Sequence, residues 1–299
     1  MDHTKVRSIS PSAMACYETC GRQYYYRYIL GGKSTVSSCN LGFGSAVATG
    51  MEMFLRGVAA GVEVDPVAVF DHHWNTFADA NHVVYPAHWD RKVAHEVGSE
   101  LMRQFPEEWD RSGYTVAVDA QGTAMIERKF KAEIAPGIIL STKLDVGVLD
   151  PEGKFYLLDG KTTRTQAVVE FLLLAEQLTA YQAVHEAHQP TTGLPNVEGV
   201  AFWEFIKRKL ARRAGDTGPE ILRPDVVKRR STAQVQEYLD KAVETVQDIR
   251  SGRFRRMPRM AYNSPCQMCD FRKGCAFGDF SDIKFESQES RAIALKLAA

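Results

Sequence analysis

Two acidic residues and a lysine carry the plainest chemistry in the sequence: Asp145, Asp159 and Lys161, set in apolar runs at 138–149 and 155–161. Between the runs lies Asp150-Pro151-Glu152-Gly153, a turn signal, so the two segments are expected to form an antiparallel hairpin. A three-residue loop of Pro151, Glu152 and Gly153 pairs residues whose numbers sum to 304, which sets Asp145 opposite Asp159. Opposed residues on one face have Cβ atoms roughly 4.5–5.5 Å apart, and two carboxylates so placed repel unless a cation lies between them. Lys161 shares that face by the two-residue period of a strand. Two acids and an ammonium suit a hard divalent cation such as Mg²⁺, which takes oxygen ligands and keeps several waters. Solvent-facing ion pairs, Asp145 with Lys161 and Asp159 with Lys143, are the bland alternative. Leu144, Val146, Val148, Leu157 and Leu158 speak for inner strands instead, where a charge needs a partner or a metal.

The second group is sulfur. Three of the six cysteines are packed as Cys266, Cys269 and Cys275, and in a chain of 299 residues ligation of a metal is the better reading than three disulfides. The N-terminal stretch with Asp2, His3, Lys5 and Arg7 does not read as a signal peptide, so an intracellular (cytoplasmic) setting with reduced thiols is expected. Four thiolates suit an iron-sulfur cluster or Zn²⁺, and spacing does not separate the two. Cys16 and Cys39 read as ordinary thiols.

The 37 basic and 37 acidic residues cancel, so any attraction for a polyanion is local. Residues 204–259 hold fifteen Lys and Arg against eight Asp and Glu. Within that stretch Lys207, Arg208, Lys209, Arg212, Arg213, Arg253, Arg255 and Arg256 are candidate phosphate contacts, with Phe202, Trp203, Phe205 and Phe254 near them for packing or base stacking. No apolar run is long enough to span a membrane.

These residues need a frame. The pattern predicts helix over 8–30, a small-residue turn at 41–45 and a helix over 46–58. A helical insertion is expected at 65–112, an antiparallel meander from 114 to 158, and a helix over 166–187 that sets Gln177 and Tyr181 on one face. A strand at 197–206 and a helix at 232–250 complete an α/β fold, and 283–299 reads as a peripheral tail. On their own, Gln177 and Tyr181 are weak candidates.

Taken together, Asp145, then Asp159-Gly160-Lys161, then Gln177 with Tyr181 resembles the PD-(D/E)XK nucleases of the RecB-like branch. With Cys20 before the tyrosine run and Cys266-x2-Cys269-x5-Cys275 near the end, the likeness extends to the iron-sulfur members, the Cas-four exonucleases and AddB-type nuclease domains. The resemblance implies one nuclease domain over 1–299 with a restriction-endonuclease-like mixed sheet flanked by helices. It also implies a [4Fe-4S] module made of Cys20 and residues 260–280 that joins the N- and C-terminal parts. By the same resemblance Asp145, Asp159 and the Gly160 carbonyl hold Mg²⁺ or Mn²⁺, Lys161 orients or activates water, and Gln177 and Tyr181 steady the site. The implied activity is a DNA exonuclease on single-stranded ends, with a recombination, replication or CRISPR-adaptation protein as partner. Gly44-Ser45-Ala46-Val47 departs from the family in being followed by Ala48, where a metal-binding His is usual. Glu52, one turn along, could lend an oxygen. A weakened nuclease serving as a DNA-end-binding module is the other expectation.

Overall fold

The computed structural model describes residues 2–213, 215–258 and 263–298. In chain order the elements are β1 (Ser8–Ile9), α1 (Pro11–Thr19), α2 (Gly21–Tyr24), β2 (Lys33–Ser34), β3 (Val36–Ser38), α3 (Cys39–Ala60), α4 (Pro66–Ala80), β4 (His82–Val84) and α5 (Arg91–Ser112). The central strands follow as β5 (Thr115–Val116), β6 (Ile126–Ala135), β7 (Ile138–Leu149) and β8 (Phe155–Thr163). After α6 (Val169–Leu174) and α7 (Glu176–Thr192) come β9 (Val197–Ile206), β10 (Glu220–Leu222), β11 (Val227–Lys228), α8 (Thr232–Arg250), α9 (Arg272–Phe277), β12 (Ile283–Lys284) and α10 (Gln288–Ala298). The chain, read from its sequence as one domain, divides into two compact units: Met1–Val36 with Lys131–Ser141 and Gln236–Ala299, and Ser37–Phe130 with Thr142–Val235.

The larger unit is built on a mixed sheet. Strands β7 and β8 pair antiparallel, with Val146 opposite Leu158 and Gly147 opposite Leu157, the register that the turn length predicts. Strand β9 then lies parallel to β8, Asp159 beside Phe202 and Lys161 beside Glu204, so α6 and α7 form the crossover. One face of this sheet carries α3, α4 and α5: Val47, Met51, Phe70, Trp74, Leu101 and Phe105 are buried with Val146, Leu158 and Trp203. Residues 65–112 thus supply helices, as expected, and these helices sit in the main core. Asp65 and Asp90 cap α4 and α5, accepting from Val67 and Val93 backbone N–H, which fixes where each begins.

Two elements of this unit differ from the sequence reading. Helix α3 begins at Cys39, so 41–45 is helix where a turn was expected. Its glycines answer to packing: a Cβ on Gly42 would lie 2.0 Å from the Phe77 ring, so only a bare backbone lets α4 approach this closely. The expected 166–187 helix is two, broken at Ala175, whose ψ of 102° is extended.

In the smaller unit, β1 joins β7 in parallel, Ser8 beside Ile139. Ser10 caps α1 and Pro11 opens it. The helix expected over 8–30 is interrupted at Cys20, which is extended at φ −165°, and the chain resumes as α2 and a π turn at Tyr25–Ile29. The segment expected as a tail pairs Ile283 with Ser34 and buries Ala294 among Tyr26, Leu30, Phe271 and Phe280. Residues 260–262 of the expected cysteine module lie outside the described residues. Among the described residues no helix is long and apolar enough to cross a membrane.

Candidate active site

Strand β8 sends Leu158 and Gly160 to the α3 side of the sheet and Asp159 and Lys161 to the opposite side, toward α7. The β7–β8 register carried one step beyond Val146 and Leu158 brings Asp145 opposite Asp159. Asp145 Oδ2 accepts the backbone N–H of Gly160 at 3.0 Å. Asp159 is wholly buried, and its Oδ2 forms an ion pair with Lys161. Lys143 pairs instead with Glu127, so the surface pairing weighed from sequence is not the one formed.

Helix α7 closes the group. Gln177 Nε2 donates to Asp159 Oδ1 at 2.8 Å, while Gln177 Oε1 accepts from Lys161 Nζ at 3.0 Å. The Tyr181 hydroxyl lies 2.9 Å from Asp159 Oδ1 and 3.3 Å from Asp145 Oδ1. One turn of helix therefore holds both acids and the amine from above, and the break at Ala175 is what lets α7 start beside β8. Lys161 Nζ also lies 5.6 Å from the centre of the Phe202 ring.

The electrostatics follow from burial. Desolvation, and then the charge of Asp159, push the Asp145 carboxyl up to about 7, against the opposing pull of Lys161 and the Gly160 N–H. Desolvation and the two carboxylates push the Tyr181 hydroxyl far above its ordinary value, so it stays a neutral donor. Two carboxylates meeting at one face, one of them reluctant to ionise, form an oxygen donor pair that fits a hard divalent cation, to which the Gly160 carbonyl would add a third oxygen. Among the described residues no group of three or more His, Cys, Asp or Glu stands close enough to hold a metal unaided, so waters and the carbonyl would complete the shell.

Ala48 lies on the α3 face toward β8. A Cβ on Gly44 would meet Thr162 Oγ1 at 3.3 Å, and one on Gly160 would meet Met51 Cε at 3.0 Å, so residues 44, 48 and 51 follow the strand at helical spacing. Glu52, the substitute oxygen, is instead bound to Arg56 at 2.9 Å.

The four cysteines belong to the smaller unit. Cys20, Cys266, Cys269 and Cys275 line one cavity of about 270 Å³, together with Arg22, Arg256 and Arg272. Burial pushes the Cys269 thiol up to about 11 and raises Cys275. Cys16 and Cys39 are buried away from that lining. The same absence of a metal-ligating group of three holds here among the described residues.

The basic candidates divide. Lys207 bonds Asn40 Oδ1 at 2.9 Å and lies over Phe43, while Arg208 is paired with Glu220. The backbones of Arg212 and Arg213 donate to Asp216 Oδ2, and Lys209 is exposed. In the smaller unit Arg253 is paired with Asp248, Arg255 offers its carbonyl to Cys20 Sγ at 3.8 Å, and Arg256 donates to the Leu297 carbonyl. Trp203 and Phe205 are core, which leaves Phe202 as the aromatic beside the acids. Sequence reasoning missed Arg230, 2% exposed, whose guanidinium bonds the Leu172 carbonyl at 2.5 Å and Thr179 Oγ1 at 3.3 Å, tying α6 to the first turn of α7. Its signal was lost in the surrounding run of arginines.

A family model described as the PD-(D/E)XK nuclease superfamily matches residues 8–276. A solved structure titled "Crystal structure of SSO0001" aligns at a TM-score of 0.33 and 10% identity, over 80% of this chain and 85% of that one. No curated protein matches the sequence.

Proposed function

Because the chain belongs to the PD-(D/E)XK nuclease superfamily, we propose that it hydrolyses phosphodiester bonds of DNA with Mg²⁺ or Mn²⁺, acting as an exonuclease on single-stranded ends. One observation carries the reading: Asp145, Asp159, Lys161, Gln177 and Tyr181, from three separate elements, meet in a single hydrogen-bonded group. Asp145, Asp159 and the Gly160 carbonyl are the atoms that would hold the cation. When bound, the cation lowers the pKa of water and offsets charge at phosphorus. In the hydrolysis itself, water oxygen bonds to phosphorus, the phosphorus–oxygen ester bond breaks, and the leaving alcohol takes a proton.

Lys161 has three ammonium N–H donors. Asp159 and Gln177 engage two, and the third is free to orient water or a phosphoryl oxygen. Gln177 fixes the amine by its oxygen and the acid by its nitrogen, so neither can rotate alone. Tyr181 holds the two acids at a fixed separation.

We assign the cysteine cavity to a structural [4Fe-4S] cluster, as in the RecB-like iron-sulfur branch. Arg22, Arg256 and Arg272 line the cavity with the cysteines and would offset the negative charge of such a cluster. Iron and sulfide analysis of anaerobically purified protein, with visible absorbance, tests the assignment; stoichiometric zinc without iron rejects it.

Labelled single-stranded DNA with Mn²⁺ tests the activity. The chain should cleave it, EDTA should stop cleavage, and Asp159→Asn or Lys161→Met should lower the rate by about 10²-fold or more. A second reading rests on Ala48: with no His at that position and Glu52 engaged by Arg56, the chain serves as a DNA-end-binding module with little catalysis. Binding without cleavage under the same conditions selects it.

A further inference from the structure

Helix α6 turns its apolar side chains outward. Phe171 is 66% and Leu174 75% exposed, and Val168, Val169 and Leu173 are exposed beside them, while Leu172 alone is buried. A contiguous exposed apolar run of this kind marks a contact surface. The segment is also pinned. Leu172 carbonyl accepts from the buried Arg230, Ala167 N–H donates to Glu204 Oε1 at 2.9 Å, and Gln166 Nε2 donates to Asp225 at 2.7 Å. Its ends are held by buried or paired groups, so the display is fixed by the fold.

Position and charge indicate what covers it. Leu174 is three residues before Gln177, within about 11 Å along the chain of the residue that bonds Asp159 and Lys161. Two cations precede α6 in the chain: Lys161 near the end of β8 and the exposed Arg164 just past it. On α6 itself the exposed charge is Glu170, which repels phosphate. A strand entering such a site would put its phosphates on the cations and its bases on the apolar helix. Duplex DNA cannot do this, because its base faces are stacked inside; unpaired bases can, and base contact with an aromatic platform tolerates any sequence.

We propose that the exposed face of α6, centred on Phe171 and Leu174, is a platform for unpaired nucleobases next to the bond that is cut, and that it selects single-stranded substrate. The proposal rests on reading the Asp145 and Asp159 group as a nuclease centre. Its test is independent of cleavage. Fluorescence anisotropy in EDTA compares a base-bearing oligonucleotide with one carrying an abasic tract, for the natural chain and for Phe171→Ser/Leu174→Ser, both sites being on the surface. The natural chain should bind the base-bearing strand about tenfold more tightly than the abasic one, and the double substitution should bring that ratio near one. A strand bearing 5-iodouracil should crosslink to Phe171. Equal preference in both proteins, or crosslinking confined to other residues, overturns the platform. So does a dimer in sedimentation that the double substitution dissolves, which would give the surface to a second copy of the chain. Loss of the nuclease reading shows separately, as no cleavage of any strand with Mn²⁺ or cleavage unaffected by Asp159→Asn.

Discussion

Asp145 reaches across the hairpin and accepts the backbone N–H of Gly160 at 3.0 Å, so the less buried of the two acids is held by the strand that carries the other. That bond favours the carboxylate, yet burial and the neighbouring Asp159 outweigh it. The site therefore stores a proton on Asp145 that a cation must displace.

Stability should record this. The Asp145 pKa rises from 3.8 to about 7 in the folded chain, so between those values the folded state holds a proton that the unfolded state has released. Its contribution is present at low pH and is lost as pH rises through about 7. In EDTA the melting temperature should fall across that window relative to Asp145→Asn. With Mn²⁺ the trend reverses, because the cation replaces the proton and binds better as pH rises. Thermal melts from about pH 5 to 8, with and without Mn²⁺, measure both slopes; parallel curves for the natural chain and Asp145→Asn would contradict the account.

Gln177 uses both ends of its amide, and substitution should separate them. Gln177→Ala frees Asp159 and Lys161 together and should lower kcat by roughly 10–100-fold, the range seen when outer partners of metal-binding groups are removed. Gln177→Glu keeps the acceptor for Lys161 but loses the donor to Asp159 and adds a negative charge beside it. It should be the worse of the two. Steady-state cleavage kinetics with matched circular dichroism spectra rank them.

Arg230 lies buried with the Leu172 carbonyl and Thr179 as partners, and its Nη1 has none among the described residues. A shorter ammonium cannot span both acceptors as a planar fork does. Arg230→Lys should therefore cost about 1–3 kcal/mol, close to the cost of Arg230→Met, in urea unfolding. A fully tolerated Lys would show that the charge, and not the fork, holds α6 to α7.

Much of the frame was legible because its physics is local. The apolar runs of β7 and β8 and the Pro-Glu-Gly turn set the register that brings Asp145 to Asp159, and β9 and α8 have the bounds their patterns predict. What failed was tertiary in origin. Glycines at 42 and 44 signal a turn, yet α3 runs through them, with α4 packed against the bare backbone at Gly42 and β8 facing Gly44. The segment 166–187 reads as one helix, whereas the break at Ala175 and the outward face of α6 arise from fitting α7 over Asp159. The cysteine spacing pointed to a metal site, and Cys20, Cys266, Cys269 and Cys275 do line one cavity, but among the described residues no three of them stand close enough to hold a metal.

The same glycines give a test of packing. Gly42→Ala places a Cβ 2.0 Å from the Phe77 ring and should cost about 1–3 kcal/mol of stability. Gly44→Ala meets only Thr162 Oγ1, at 3.3 Å, and gains helix propensity, so it should be neutral or stabilising by up to about 1 kcal/mol. Urea unfolding of the pair decides whether close approach or turn chemistry placed these residues.

Ala48 bears on how much catalysis this chain retains. It lies between Gly44, which faces Thr162, and Met51, which faces Gly160, so a side chain at 48 starts on the α3 side of the strand and must reach round it to meet the Asp159 carboxylate. An imidazole there is neutral above about pH 6.5 and brings one nitrogen donor to a shell that otherwise has two carboxylates, a carbonyl and water. Ala48→His should tighten Mn²⁺ binding by about tenfold and raise cleavage in proportion at limiting metal. Above metal saturation the two proteins should converge, because the imidazole adds affinity without changing the group that orients water. Glu52→Gln should leave Mn²⁺ affinity unchanged, since Glu52 is committed to Arg56. Calorimetric titration with Mn²⁺ beside cleavage rates read at several metal concentrations checks each point. If Ala48→His fails to tighten the metal while Glu52→Gln weakens it, the oxygen of Glu52 has taken the place of the imidazole, and α3 must shift to deliver it.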